Sequence, residues 1–234
     1  MIFYLKMFFK SFSSSSSSSN SLSSTQNGPE NKFRLDSFDS EWETDETQII
    51  SVQILARVLG SMNIGAYHTA LLFETNEEYV VSEYGVDVGI NVKYYPKKLA
   101  KKFEAYENIM GFANKVLVYD LTSCFNNIAD LRLNHVYKIL DGEFRYTFKP
   151  CNYNTIKHNC RDFVYELCKK IDCNPIGLDF IANYFVTHMN YSNVFFYPFY
   201  AFTRTNLYDN HFLIGEWDLS KKVFIGKHDN TSRI

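Results

Sequence analysis

From residue 13 to residue 47 the chain is mostly polar; from residue 48 apolar positions return in short blocks. Residues 48–58 are β-branched and partly alternating, which predicts a first strand. Asn63-Ile64-Gly65 reads as a turn. Residues 66–73 and 79–84 form two further apolar runs joined by Asn76-Glu77-Glu78, the signature of a hairpin. Gly85 and Gly89 bracket another break. Residues 96–106 predict a short helix with Leu99, Phe103 and Tyr106 as its apolar contacts, and residues 115–121 a clear strand. Residues 126–140 show Ile128, Leu131, His135, Val136 and Ile139 near helical spacing, with Asp141-Gly142 as the stop. His135 on that face reads as a packed or hydrogen-bonded histidine. Residues 144–148 alternate weakly. Phe163, Val164, Leu167, Cys168 and Ile171 fall 3, 4, 7, 8 and 11 residues after Cys160, one apolar helix face. That helix stops before Asn174-Pro175. Residues 178–186 predict another short helix, and 212–214 and 223–225 two short strands. The pattern gives an α+β fold: an antiparallel sheet of about four to six strands packed on the Cys160 helix and the 126–140 helix.

The rest of the chain frames that domain. Residues 1–12 are apolar but carry Lys6 and Lys10; their longest uncharged piece is five residues, shorter than a signal-peptide core. Ser13 opens a pure serine run, a flexible, solvated linker by composition. The expected division is a disordered Ser-rich segment over 1–45, a folded domain over 46–175, and an aromatic-rich C-terminal extension over 176–234 that packs on it. The aromatics of 191–202 are broken by Ser192, Asn193 and Pro198, so they suit a segment covering the core better than a membrane span. No run of about 18 apolar residues is present.

Composition narrows the chemistry. The 234 residues carry a net charge of -2, with no basic stripe beyond Lys97-Lys98 and Lys101-Lys102, which disfavours a nucleic-acid partner. The five cysteines are odd in number, irregular in spacing and free of CxxC pairs. That argues against a zinc site and a disulfide framework, and for reduced thiols in the cytoplasm or nucleus. No cofactor motif is present: no P-loop, GxGxxG, GxSxG or HExxH.

Cys160 stands at the predicted first turn of its helix, where unpaired N–H groups and the positive dipole end favour an anion. A thiol there tends toward the thiolate, the nucleophilic form. Such a nucleophile needs a general base. His158 is two residues away, a spacing that rarely aims both side chains at one atom, so it reads as a loop or cleft residue. His188, His211 and His228 lie in poorly patterned regions. His68 interrupts a strand otherwise made of Ala, Leu and Phe. Alone it reads first as a satisfied core histidine; with a Cys at a helix start elsewhere, it becomes the candidate base.

Tyr67-His68-Thr69 on a hairpin strand, then Tyr153-Asn154 and His158-Asn159-Cys160-Arg161-Asp162-Phe163 opening a helix, resembles the circularly permuted papain-like peptidases. The nearest likeness is to the PPPDE group, which includes the desumoylating isopeptidases. The resemblance covers roughly residues 50–172. It implies Cys160 as nucleophile, His68 as base and the Cys160 N–H as an oxyanion donor. Tyr153 and Asn159 are the implied oxyanion or supporting residues, and the implied machinery is a Cys–His dyad. Glu83 or Ser82, on the paired strand, could orient His68 in the triad manner; either is equally plausible as a surface residue. Arg161-Asp162 departs from the family's usual residues after the Cys and leaves substrate class open.

Three functions compete. The first is a cysteine peptidase or isopeptidase acting on a protein substrate, with ubiquitin-like proteins implied. The second is a lecithin retinol acyltransferase-like lipid enzyme, for which interfacial aromatics speak and a missing Glu-His after the Cys speaks against. The third is a binding domain that keeps the fold without the reaction.

Overall fold

The computed structural model describes residues 46–58, 67–111, 113–155, 157–184 and 211–227. Seven strands form one antiparallel sheet: β1 Ile49–Val58, β2 Tyr67–Thr75, β3 Glu78–Gly85, β4 Gly89–Pro96, β5 Lys115–Asp120, β6 Leu213–Asp218 and β7 Val223–Gly226. Their order across the sheet is β4-β3-β2-β1-β5-β6-β7. Among the described residues the α-helices longer than one turn are α1 Lys102–Glu107, α2 Leu133–Ile139, α3 Cys160–Lys170 and α4 Pro175–Tyr184.

Strand β2 is buried along almost its whole length because both faces of the sheet are covered. Leu71 and Phe73 join Ile54, Val80, Phe163 and Leu167 on one side, against α3. Ala70 and Leu72 join Leu55, Val81, Val118 and Tyr106 on the other, against α1. Phe103 of α1 stacks on Trp217 of β6, ring centroids 4.2 Å apart. An apolar side chain of Leu or Phe size gains about 1.5–3 kcal/mol when fully buried, so both layers hold the sheet.

The α+β class and antiparallel sheet agree with the pattern of the sequence; several elements differ from it. The sheet has seven strands because β4 adds one edge and the two tail strands the other. The glycine break is the β3–β4 turn, in which Gly85 pairs with Gly89. Gly89 has φ +68, and a Cβ there would stand 2.9 Å from Pro150 Cδ. β4 escapes notice because Asn91 and Lys93 alternate with Ile90 and Val92 at a sheet edge. The helix expected over 96–106 is confined to Lys102–Glu107, and Leu99 is 82% exposed rather than a packing contact.

The helix expected over 126–140 is also broken. A 3₁₀ turn at Ile128–Asp130 is followed by extended Leu131 and Arg132. Their backbone is drawn to β1: the Leu131 carbonyl accepts from Ile49 N–H at 2.9 Å, and Leu133 N–H donates to the Thr47 carbonyl at 3.0 Å. Tertiary pairing overrides the helical spacing. Helix α2 starts only at Leu133, leaves His135 exposed and continues past Asp141-Gly142 as a π-turn over Leu140–Phe144. Residues 144–148, read as weakly alternating, close that helical run at Arg145–Thr147. The start of the helix expected over 178–186 belongs to α4; residues 185–186, the Asn63-Ile64-Gly65 turn, the Ser-rich segment, the aromatics of 191–202, His188 and His228 lie outside the described residues. No helix among the described residues is long and apolar enough to cross a membrane.

Candidate active site

Helix α3 begins where the sequence places it. Asn159 is its N-cap: the side-chain oxygen accepts from Arg161 N–H at 2.9 Å, while the Asn159 N–H donates to Asp162 Oδ2 at 3.0 Å. This reciprocal box fixes the first turn. The remaining Asn159 amide group donates to the Thr155 carbonyl at 3.1 Å, so Asn159 supports the helix start with its side-chain groups occupied. Cys160 is the first helical residue and is 3% exposed.

The N-terminal end of α3 meets the start of β2. The Cys160 sulfur lies 3.7 Å from the Tyr67 carbonyl, a contact in which only the protonated thiol can donate. The His68 ring and Thr69 lie close enough to the same sulfur to act on its charge. Cys160 and His68 are thus brought together from positions 92 residues apart in the chain. His158 is kept out of the site: its Nε2 sits 3.0 Å from the Thr147 carbonyl and its ring stacks on Phe148 at 4.5 Å.

Glu83 completes the arrangement. It is fully buried, and its Oε2 lies 3.0 Å from His68 Nε2. Ala70 pairs with Glu83 across β2 and β3, so His68, two residues along, reaches Glu83 diagonally on the same face. Ser82 points to the opposite face by strand alternation; its buried hydroxyl has no hydrogen-bond partner. Of the two candidates to orient His68, Glu83 makes the bond. With Nε2 engaged, Nδ1 is the ring nitrogen left for the sulfur.

The carboxylate has further partners. Its Oε1 accepts from Lys93 Nζ at 2.8 Å and Asn91 Nδ2 at 3.0 Å, and Met110 N–H approaches Oε2 at 3.4 Å. Burial alone would raise Glu83, but His68 and Lys93 outweigh it and hold the carboxyl down to about 2. Burial alone would lower His68, yet the Cys160 and Glu83 charges push it up to about 10. Burial also opposes the Cys160 thiolate; the His68 charge and bond, with the Thr69 N–H, outweigh it and bring the thiol below its ordinary value. Each shift runs in the direction of a thiolate–imidazolium pair backed by a carboxylate.

Tyr153 stands beside Cys160. Its hydroxyl lies near the Cys160 sulfur and backbone N–H; burial and the nearby sulfur charge keep the phenol neutral by raising it well above its ordinary value. The ring packs on Tyr84, centroids 5.1 Å apart. A neutral hydroxyl and the first N–H of a helix at one point are the donors an oxyanion needs.

Asn91 and Lys93 carry no motif and went unrecognised in the sequence. Their signal is the two-residue spacing of polar side chains on one face of β4, legible only once β4 is seen as a strand beside Glu83. Among the described residues no group of His, Cys, Asp and Glu is arranged to hold a metal ion. No family model matches the chain, and no curated protein or solved structure matches it.

Proposed function

We propose that this chain is a thiol hydrolase of the circularly permuted papain-like kind, a cysteine peptidase or isopeptidase that acts through a Cys160–His68–Glu83 triad. The observation that carries the reading is the buried Glu83–His68 bond at 3.0 Å, on a ring that also contacts a thiol at a helix start. A structural histidine needs neither an ionised buried carboxylate nor a thiolate beside it. The order of the residues, His before Cys, and the antiparallel sheet agree with the permuted arrangement.

In this mechanism the Cys160 thiolate attacks the carbonyl carbon of an amide or isopeptide bond. The oxyanion is received by the Cys160 N–H and the Tyr153 hydroxyl. The C–N bond breaks as the His68 imidazolium gives its proton to the leaving amine, leaving a thioester. Water then attacks, His68 takes its proton, and the acid leaves as the thiolate–imidazolium pair re-forms. Glu83 holds the ring and stabilises its charge. The substrate class follows from the resemblance: a ubiquitin-like protein, in the cytoplasm or nucleus. The lipid-enzyme reading leaned on the aromatics of 191–202, which lie outside the described residues.

The test is labelling by ubiquitin and ubiquitin-like proteins carrying a C-terminal thiol-reactive group. At least one should form a covalent adduct with the wild type and none with Cys160→Ala. An adduct that survives the substitution removes Cys160 from the mechanism. A wild type inert to all of them, and to a generic thiol-protease inhibitor, would favour the non-catalytic binding domain.

A further inference from the structure

Glu83 is a carboxylate with no solvent exposure, and it must stay ionised to hold His68. One cation alone is a weak guarantee of that, because desolvation penalises the charged form. The structure supplies a second. Lys93 Nζ sits 2.8 Å from Oε1 and 2.7 Å from the Asn108 carbonyl, and its side chain is 21% exposed. The ammonium is therefore fixed between two oxygens from two elements, unlike an ordinary surface lysine. From α3 through β2 and β3 to β4 the groups alternate in sign when the pair is charged: sulfur, imidazole, carboxylate, ammonium.

We propose that Lys93 is a positioning residue for the Cys160 nucleophile, acting through Glu83 from two strands away. This rests on the reading of Cys160 as the nucleophile. With Lys93 removed, Oε1 keeps only Asn91, and the buried carboxyl takes up a proton at a higher pH. A protonated Glu83 no longer stabilises the imidazolium, and the thiolate loses its counter-charge. An exposed ion pair would be worth little here; the burial of Glu83 is what makes its second cation matter.

The other groups at the site leave this role to Lys93. Arg57 pairs with His68 across β1 and β2, but its guanidinium donates to the carbonyls of Ile109 at 2.8 Å and Ala113 at 2.9 Å. Tyr95 faces Glu83 from β4 and Asn108 and Glu104 from the α1 side; burial, then the Glu83 charge, keep it a neutral phenol. On the sulfur side Tyr153 is neutral, and Thr69 carries no charge.

The test is the pH dependence of alkylation by iodoacetamide, read separately at Cys160 and at exposed Cys151 by peptide mapping, so that Cys151 serves as an internal reference in the same molecule. In the wild type, Cys160 should become reactive at a lower pH than Cys151. Lys93→Met should move that limb up by about one pH unit, roughly a tenfold slower reaction at about pH 6, without moving Cys151. Lys93→Arg should restore it. In a Glu83→Gln background Lys93→Met should add no further shift. A purely structural lysine would lower the melting temperature and leave the limb in place, and that result overturns the proposal. Should Lys93→Met fail to fold, Lys93→Gln, which keeps a donor without the charge, is read the same way, and an unmoved limb there overturns it equally. If wild-type Cys160 titrates with Cys151, the nucleophile reading itself fails. If wild-type Cys160 titrates early and the Lys93 variants do not change it, only the role of Lys93 fails.

Discussion

At the scale of single residues, Glu83 controls what the site can do. Its carboxyl is held down to about 2 against an ordinary 4.5, so the folded state binds fewer protons than the unfolded chain in that window. The stability this contributes is present above about pH 4.5 and is lost as pH falls from there through about 2. Glu74, against its own burial, is also held low by Lys102 and Lys97, and Asp218 is held low by Ser220, so the informative quantity is a difference between variants. Glu83→Gln leaves His68 and Lys93 without their counter-charge and should cost about 3–5 kcal/mol near neutral pH. Denaturant unfolding from pH 7 downward should show that gap narrowing as wild-type Glu83 takes up its proton. A gap independent of pH would mean that Glu83 is not ionised in the folded protein.

Cys160 and His68 were legible at this scale because each breaks a local pattern: a thiol at a helix start, a polar ring in an apolar strand. Glu83 was legible only as one of two candidates. Strand alternation alone separates it from Ser82, since the two must face opposite sides of the sheet and only one side carries His68. Lys93 was not legible, because a lysine on an edge strand looks like an ordinary solvated residue until the buried carboxylate beside it is known.

Among the elements, α3 matters most, and its start is written in the sequence. Asn159 and Asp162 form the capping box, and the apolar face beginning at Phe163 docks on the sheet. Asn159→Ala removes a cap whose loss typically costs about 1 kcal/mol, with a range of 0.5–2. Because the cap also sets where the Cys160 N–H points, the variant should lose more thioester formation than its fall in melting temperature accounts for. Single-turnover acylation measured well below the melting transition checks this; unchanged acylation would leave Asn159 as a structural cap alone. The breaks in the sequence reading are also matters of elements. Residues 126–132 carry helical spacing, yet Leu131 and Arg132 are extended because β1 claims their backbone. No local signal reports a bond to a strand some eighty residues earlier in the chain.

For the whole molecule, the sheet is the device that makes one site out of distant segments. Cys160 comes from a helix start, His68 and Glu83 from neighbouring strands, and Lys93 from the edge strand. The two tail strands extend the sheet on its far side: β6 pairs with β5, and Trp217 closes the layer over α1. The antiparallel class was readable from short alternating runs and a hairpin, whereas the number of strands was not, because β4 mixes polar and apolar positions at an edge and nothing local tells that the two tail strands join the same sheet.

The central claim is that this fold stores Cys160 as a thiolate against His68. The most direct measurement is the ultraviolet thiolate absorbance of the folded protein titrated against pH, taken as the difference between wild type and Cys160→Ala. The triad predicts a thiolate already present near pH 7, below the ordinary range of a free thiol near 8.5, and absent at that pH in His68→Ala. A difference spectrum that appears only in the range of a free thiol, or one unaffected by the loss of His68, would contradict it.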